Sequence, residues 1–299
     1  MSALQTISTP VDLSSRAMLI NLTIGSWSAR KFDKAATREV AQAHNAPEDV
    51  GRYTKKLIGP GSTLDKIHTK QSAARARHYE LTLPWQNDGA RIISSAAYFP
   101  YTQEMRKFQS ELDDLVLDFA HEYPQLVEEA RRRLNGLYNP SDYPADIRDK
   151  FTFGYNVLPL PACEDFRVQL GAVEVNRIKT DMQAQLDASL ENAMRDVWQR
   201  MFSVVNKMAE ALRAYTPPSN GSKAEGIFRD SLVTNIREVL QIIPLLNITA
   251  DQTVSDTAEQ IERELCRLSA DQLRCSKYDR EKTADAADAI CSFMSQFVA

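Results

Sequence analysis

Residues 173–215 read VEVNRIKTDMQAQLDASLENAMRDVWQRMFSVVNKMAEALRAY, with no proline and no glycine. An apolar stripe runs through them at Ile178, Met182, Leu186, Leu190, Met194, Val197, Met201, Val204/Val205, Met208, Leu212 and Tyr215. Ten steps cover 37 residues, a mean spacing of 3.7, which is the period of one continuous helix and not of strands. At 1.5 Å per residue such a helix is roughly 65 Å long. A compact chain of this length has a radius of gyration near ~19 Å and a diameter of about 50 Å. The stretch therefore predicts a mainly α fold, an elongated helical bundle built around one 43-residue helix. A spacing of 3.7 also exceeds the 3.5 of a left-handed heptad supercoil. Packing against other helices of the same chain is a simpler reading than self-association.

Working outward, residues 216–222 (TPPSNGS) form the clearest linker in the chain. Three shorter helices are expected beyond it, near 224–243, 252–270 and 279–298. The reading is of an elongated helical domain over 1–215 and a C-terminal helical subdomain over 223–299. Upstream, Leu19–Trp27 alternates as a strand does, and so does the aromatic run Phe151–Leu158. Phe166–Val168 is a third short candidate. Together these predict a small β-sheet at one end of the rod. Helices are expected at Lys34–His44, at Glu48–Ile58, from a Ser62/Asp65 capping box to about Glu80, and over Thr102–Leu134, where Pro124 should kink or divide the helix. Leu83–Pro100 reads as a long, partly extended connection.

Composition narrows the function classes. Apolar residues make up 43% and charged residues 25% of 299, ordinary globular usage that argues against wholesale disorder. A formal charge of −4 argues against a protein whose main task is coating nucleic acid. The N-terminus lacks a basic segment followed by an apolar one, so no secretory signal is read. No window approaches a membrane span. Four cysteines without C-x-x-C pairing (Cys163, Cys266, Cys275, Cys291) read as buried thiols of a reducing cytoplasm.

Charge is distributed unevenly. Residues 52–78 carry Arg52, Lys55, Lys56, Lys66, Lys70, Arg75 and Arg77 against Asp65 alone. Residues 104–129 carry eight acids against Arg106 and Lys107. Two helices of opposite charge would pack as an antiparallel, self-neutralising pair. The alternative is a phosphate-tracking face that uses Lys55, Lys56, Lys66, Lys70, Arg75 and Arg77, assisted by His68 and His78, to bind nucleic acid. Arg131-Arg132-Arg133 could likewise bind phosphate, but a basic last turn before Asn135-Gly136 is also what the helix dipole favours, and helix termination is the better reading. Gly59-Pro60-Gly61-Ser62 lacks phosphate-loop spacing and reads as a turn. The four histidines show no i, i+4 ligand pairing, and Cys266 and Cys275 fail zinc spacing. Neither a metal nor any other cofactor is expected, and no catalytic residue is assigned. The acidic pair Glu164-Asp165 would need a distant partner.

The most distinctive residues lie in the segments read as extended. Trp85, Tyr98, Phe99 and Tyr101 are the candidate partner-binding surface, because aromatics dominate interface hot spots. Three features carry a resemblance: a strand ending in Trp27 and followed by Lys31, the Leu81–Trp85 run, and the series from Phe153-Gly154-Tyr155 through Leu158-Pro159-Leu160-Pro161 to Asp165-Phe166-Arg167. Over Leu19 to Tyr215 the chain resembles a domain-of-unknown-function family of bacteriophages and mobile elements. Genes of that family often lie near those for MoxR-type AAA+ ATPases and von Willebrand A-domain proteins, a pairing reminiscent of cobaltochelatase subunits. The resemblance implies a phage or plasmid origin and an ATPase partner. The resulting expectation is a non-enzymatic adaptor in the cytoplasm of a bacterial host.

Overall fold

The computed structural model of the protein describes residues 13–85, 89–161, 171–218, 225–226 and 228–298. Among them lie nine α-helices and six short strands, a mainly α fold with a small antiparallel sheet. In chain order they are α1 (Leu13–Arg16), β1 (Ala17–Gly25), β2 (Arg30–Phe32), α2 (Lys34–Ala43), β3 (Thr54–Lys56), α3 (Thr63–Leu81), β4 (Leu83–Pro84), β5 (Arg91–Ser94) and α4 (Ser95–Leu134). After three short 3-10 turns follow β6 (Thr152–Leu158), α5 (Ala172–Ala214), α6 (Ser231–Leu246), α7 (Gln252–Leu265), α8 (Ala270–Cys275) and α9 (Lys277–Val298). The main sheet has the order β4-β5-β1-β6, and β2 and β3 form a separate two-stranded ribbon.

The long stripe is indeed one 43-residue helix, α5. Three expectations are corrected. Glu48–Ile58 is not a helix. It holds a turn and then β3, whose Lys55 is drawn inward by carboxylates instead of lying on a solvated helix face. The connection from Leu83 shortens, because α4 starts at Ser95, seven residues before Thr102. The Ser94 hydroxyl accepts the Ala97 N–H there, the bond of an N-cap. Pro124 leaves α4 undivided, since the helix continues to Leu134. The strand expected at Phe166–Val168 lies outside the described residues.

The chain divides into two compact units: residues up to 21, 79–100 and 157 onward, and residues 22–78 and 101–156. The cut does not fall at 216–222. The segment's described part leads into a backbone pair, Thr216 with Glu225 at 2.9 and 3.0 Å. The helices after it belong to the same unit as α5, because α5 needs them. Ala193, Val197, Trp198, Met201, Val205, Met208, Ala209 and Leu212 are buried along one face, in a cluster with Val233, Ile236, Val254, Ile261, Ile290 and Met294 of α6, α7 and α9. Trp198 stacks on Phe297, with ring centroids 4.2 Å apart and an interplanar angle of 10°. The first half of α5 behaves differently: none of residues 172–192 is buried.

In this larger unit β4 lies at the sheet edge, where a proline costs no ladder bond. Leu83 and Trp85 fill the cluster around α5. Arg200 of α5 donates to the carbonyls of Tyr79, Glu80 and Thr82 at 2.7–2.9 Å, which satisfies the end of α3. The smaller unit has its own core of Leu57, Ile58, Leu64, Ile67, Leu112, Phe119, Tyr123 and Ile147, with Trp27 edge-on to Tyr123.

Candidate functional site

In the smaller unit the opposite charges of residues 52–78 and 104–129 meet. Lys70 reaches Glu111 at 2.7 Å, and Arg77 grips both carboxylate oxygens of Glu104 at 2.6 and 2.7 Å. As α3 advances seven residues between these contacts, α4 runs back seven, the register of an antiparallel pair. Lys70 holds the Glu111 carboxyl below its ordinary range, mainly through their hydrogen bond. Glu122 closes the pair at the other end by accepting the Thr63 N–H and hydroxyl. The expected Ser62/Asp65 capping box is replaced by this contact and by Asp65 accepting the Gly61 N–H at 2.8 Å.

Lys55 leaves the nucleic-acid set for another reason. Its side chain is 5% exposed and its ammonium lies 3.0 Å from Asp33 and 2.8 Å from Asp142. It also donates to the Leu137 carbonyl at 2.9 Å. Burial works to lower its pKa, but the two carboxylates outweigh that and hold it above the ordinary lysine value. Of the six cations named for nucleic acid, Lys55, Lys70 and Arg77 are thus engaged by carboxylates, while Lys56, Lys66 and Arg75 remain exposed.

Two of those three line a cleft of about 510 Å³. One wall is a face of α3 with helical spacing: Asp65, His68, Gln71, Ser72 and Arg75. That face is held in place by bonds to the strand end and the segment after it. His68 meets the Trp27 carbonyl at 3.0 Å, Gln71 donates to Gly25, and Arg75 to Ile24. The other walls are Ser26 and Ser28 to Arg30 on one side and Lys56, Ile58, Gly59, Pro60 and Ser62 on the other. Ala29 is buried in the left-handed region, φ 49°, and its carbonyl accepts the Leu57 N–H at 2.8 Å, extending the ribbon. A non-glycine residue in that region costs roughly 1–2 kcal/mol. The strain sits where the chain turns from Ser28 into Arg30.

The ribbon register places Arg30 directly opposite Lys56, and like charges opposed across an antiparallel pair repel. Neither side chain has an ion-pair partner among the described residues, nor does Arg75, whose one bond is to a carbonyl at 3.3 Å. Three cations therefore share a cleft with the hydroxyls of Ser26, Ser28, Ser62 and Ser72, against one carboxylate already bound to Gly61. Arg30 was not legible as a site residue. A three-residue strand leaves no period to read, and its partner lies 26 positions away in the sequence.

The aromatic surface expected at Trp85, Tyr98, Phe99 and Tyr101 does not exist as one patch. Trp85 and Tyr101 are buried and belong to different units, while Phe99 is exposed and Tyr98 half-buried. Trp85 is core because β4 packs it toward α5, and Tyr101 because α4 begins early enough to turn it inward. The Tyr101 hydroxyl meets buried His78 at 2.9 Å, and burial pushes the phenol well above its ordinary pKa. An apolar groove of about 350 Å³ does appear elsewhere on the smaller unit, lined by Val40, Ala41, His44, Ala46, Val50 and Tyr53. Val40 and Val50 are among the most exposed large apolar residues described.

Cys266 and Cys291 are buried, and burial pushes the Cys291 thiol up to about 11. Cys275 is exposed, contrary to expectation, because it ends the one-and-a-half turns of α8. Cys163 and the pair Glu164-Asp165 lie outside the described residues. No group of three or more His, Cys, Asp or Glu among the described residues is placed to hold a metal ion. No helix among them is long and apolar enough to cross a membrane. Comparison with protein-family models, with curated proteins and with solved structures gave no match.

Proposed function

We propose that this chain is a non-catalytic binding protein whose smaller unit holds a phosphate-bearing ligand between Arg30, Lys56 and Arg75. The observation that carries this reading is the Arg30–Lys56 cross-strand pair, two cations opposed with no ion-pair partner for either among the described residues. An anion would relieve that repulsion, and the hydroxyls of Ser26, Ser28 and Ser62 supply neutral donors to its oxygens. The test is calorimetric titration with inorganic tripolyphosphate at two salt concentrations. Binding is expected, weaker at higher salt, and reduced at least tenfold in the triple variant Arg30→Ser, Lys56→Ser, Arg75→Ser. Undiminished binding by a folded triple variant would move the site elsewhere, and no binding by the wild-type chain would end the reading.

The adaptor reading has its own supporting observation, the Val40–Val50–Tyr53 groove, which takes the place of the aromatic surface. On this reading the chain works in a bacterial cytoplasm with a MoxR-type AAA+ ATPase as partner, as the family resemblance implies. The double variant Val40→Asp, Val50→Asp should abolish capture of such an ATPase while leaving tripolyphosphate binding intact. Capture at wild-type strength by that variant would exclude the groove.

A further inference from the structure

Two basic motifs far apart in the sequence meet in the smaller unit. Arg133, in the last turn of α4, donates to the backbone carbonyl of Lys56 at 2.9 Å. One residue earlier in β3, Lys55 donates to the carbonyl of Leu137, just past the end of α4. The ribbon that carries one side of the cleft is therefore tied to the arginine turn at two consecutive positions. From these anchors we infer that the cleft continues onto the arginine turn and that the whole is a track for the phosphate backbone of nucleic acid. This rests on the anion-binding reading above and extends it from one phosphate group to several in a row.

The arginines of that turn do not contribute equally. Successive residues of a helix are 100° apart, so Arg132 lies one step round from the anchored Arg133, whereas Arg131 lies two steps round and points away. All three are exposed. Glu129, four residues before Arg133, accepts from Gln125. The track is then Arg75, Arg30, Lys56, Arg133 and Arg132. No Phe, Tyr or Trp side chain lines the cleft, and the His68 ring is tied to the Trp27 carbonyl, so there is no broad platform on which bases would stack. Recognition would be by backbone charge, tolerant of sequence and steeply dependent on salt.

A set of five phosphate contacts sets the magnitude. On a single strand the slope of log K against log salt is about −0.7 per contact, here about −3.5. Affinity should fall about a hundredfold between 50 and 200 mM salt. The experiment measures fluorescence anisotropy of labelled thymidine strands of three, ten and twenty nucleotides, and of a twenty-base-pair duplex, bound to the full chain. Affinity is expected to rise from three to ten nucleotides. The slope should weaken by about 1.4 in the double variant Arg132→Ser, Arg133→Ser and by about 0.7 in Arg132→Ser alone, and stay unchanged in Arg131→Ser. Arg132→Ser alone leaves the bond to Lys56 untouched, so its effect is not a folding effect. If tripolyphosphate binds but the three- and ten-nucleotide strands bind equally, with Arg132→Ser silent, the track is overturned and a single-phosphate cleft stands. If none of these anions binds, the anion-binding reading falls with it. Equal loss in Arg131→Ser and Arg132→Ser would also overturn the track, since it would mean diffuse attraction.

Discussion

Replacing Lys55 by methionine is expected to cost the smaller unit about 3–5 kcal/mol, because it leaves two carboxylates facing each other with their cation gone. The geometry makes the case: a 5%-exposed side chain whose ammonium meets Asp33, Asp142 and the Leu137 carbonyl within 3.0 Å. Ordinary surface pairs in this protein, such as Arg38 with Glu48, lie in the range of 0–1 kcal/mol. The measurement is urea unfolding followed through Trp27, which lies in the same unit's core. Methionine at 55 together with Asp33→Asn and Asp142→Asn should recover most of the loss, because the charges then leave as a set. A single variant as stable as wild type would show that the triad contributes nothing. The triad also sets a pH dependence. Asp33 is held below its ordinary value of 3.8, chiefly by the Ala36 N–H and then by Lys55. Its contribution is complete above the ordinary carboxylate pKa and is lost as pH falls through the lowered one. Acid sensitivity should therefore appear below about pH 4 and weaken when Lys55 is gone.

The second large effect lies in the other unit. Trp198→Ala should destabilise it by about 3–5 kcal/mol, the usual loss for a buried tryptophan cut to alanine. Trp198 is 4% exposed and sandwiches its ring against Phe297 of α9, so the loss should fall on the docking of α9 against α5. Hydrogen exchange reports this directly, as amides of both helices should lose protection together. Trp198→Phe keeps an aromatic partner and should retain most of the stability. If α9 lost no protection in Trp198→Ala, the packing of the C-terminal helices on α5 would be refuted.

What could be read in the sequence follows the length of the signal. The α5 stripe repeats over many turns, and α3 and α4 carry opposite charge blocks that each span several, so no single residue can mislead. Signals confined to a few residues failed. The Glu48–Ile58 stretch is too short to show a period, and where a helix is expected Lys55 is buried and Lys56 lies across from Arg30 in a strand. Pro100 made Tyr98–Tyr101 look like loop, although the helix had started at Ser95 with its cap already in place. Trp85 looked like an exposed anchor, because a two-residue edge strand has no alternation to show which way it faces. The cleft was hidden for a further reason. Its cations come from β2, β3 and α3, and only tertiary packing brings them together.

The unequal burial along α5 has a consequence for how the helix lives in solution. Its second half is pinned by a core face, while residues 172–192 have backbone bonds to one another but no buried side chain. A helix is held mainly by the packing of its apolar face and only weakly by propensity. The two halves of this one rod therefore open on different clocks: the later turns with the whole unit, the earlier ones by unwinding from Gly171 inward, a few residues at a time. A protease should therefore reach the turns before Leu186 first, since Leu186 and Leu190 already pack against the core.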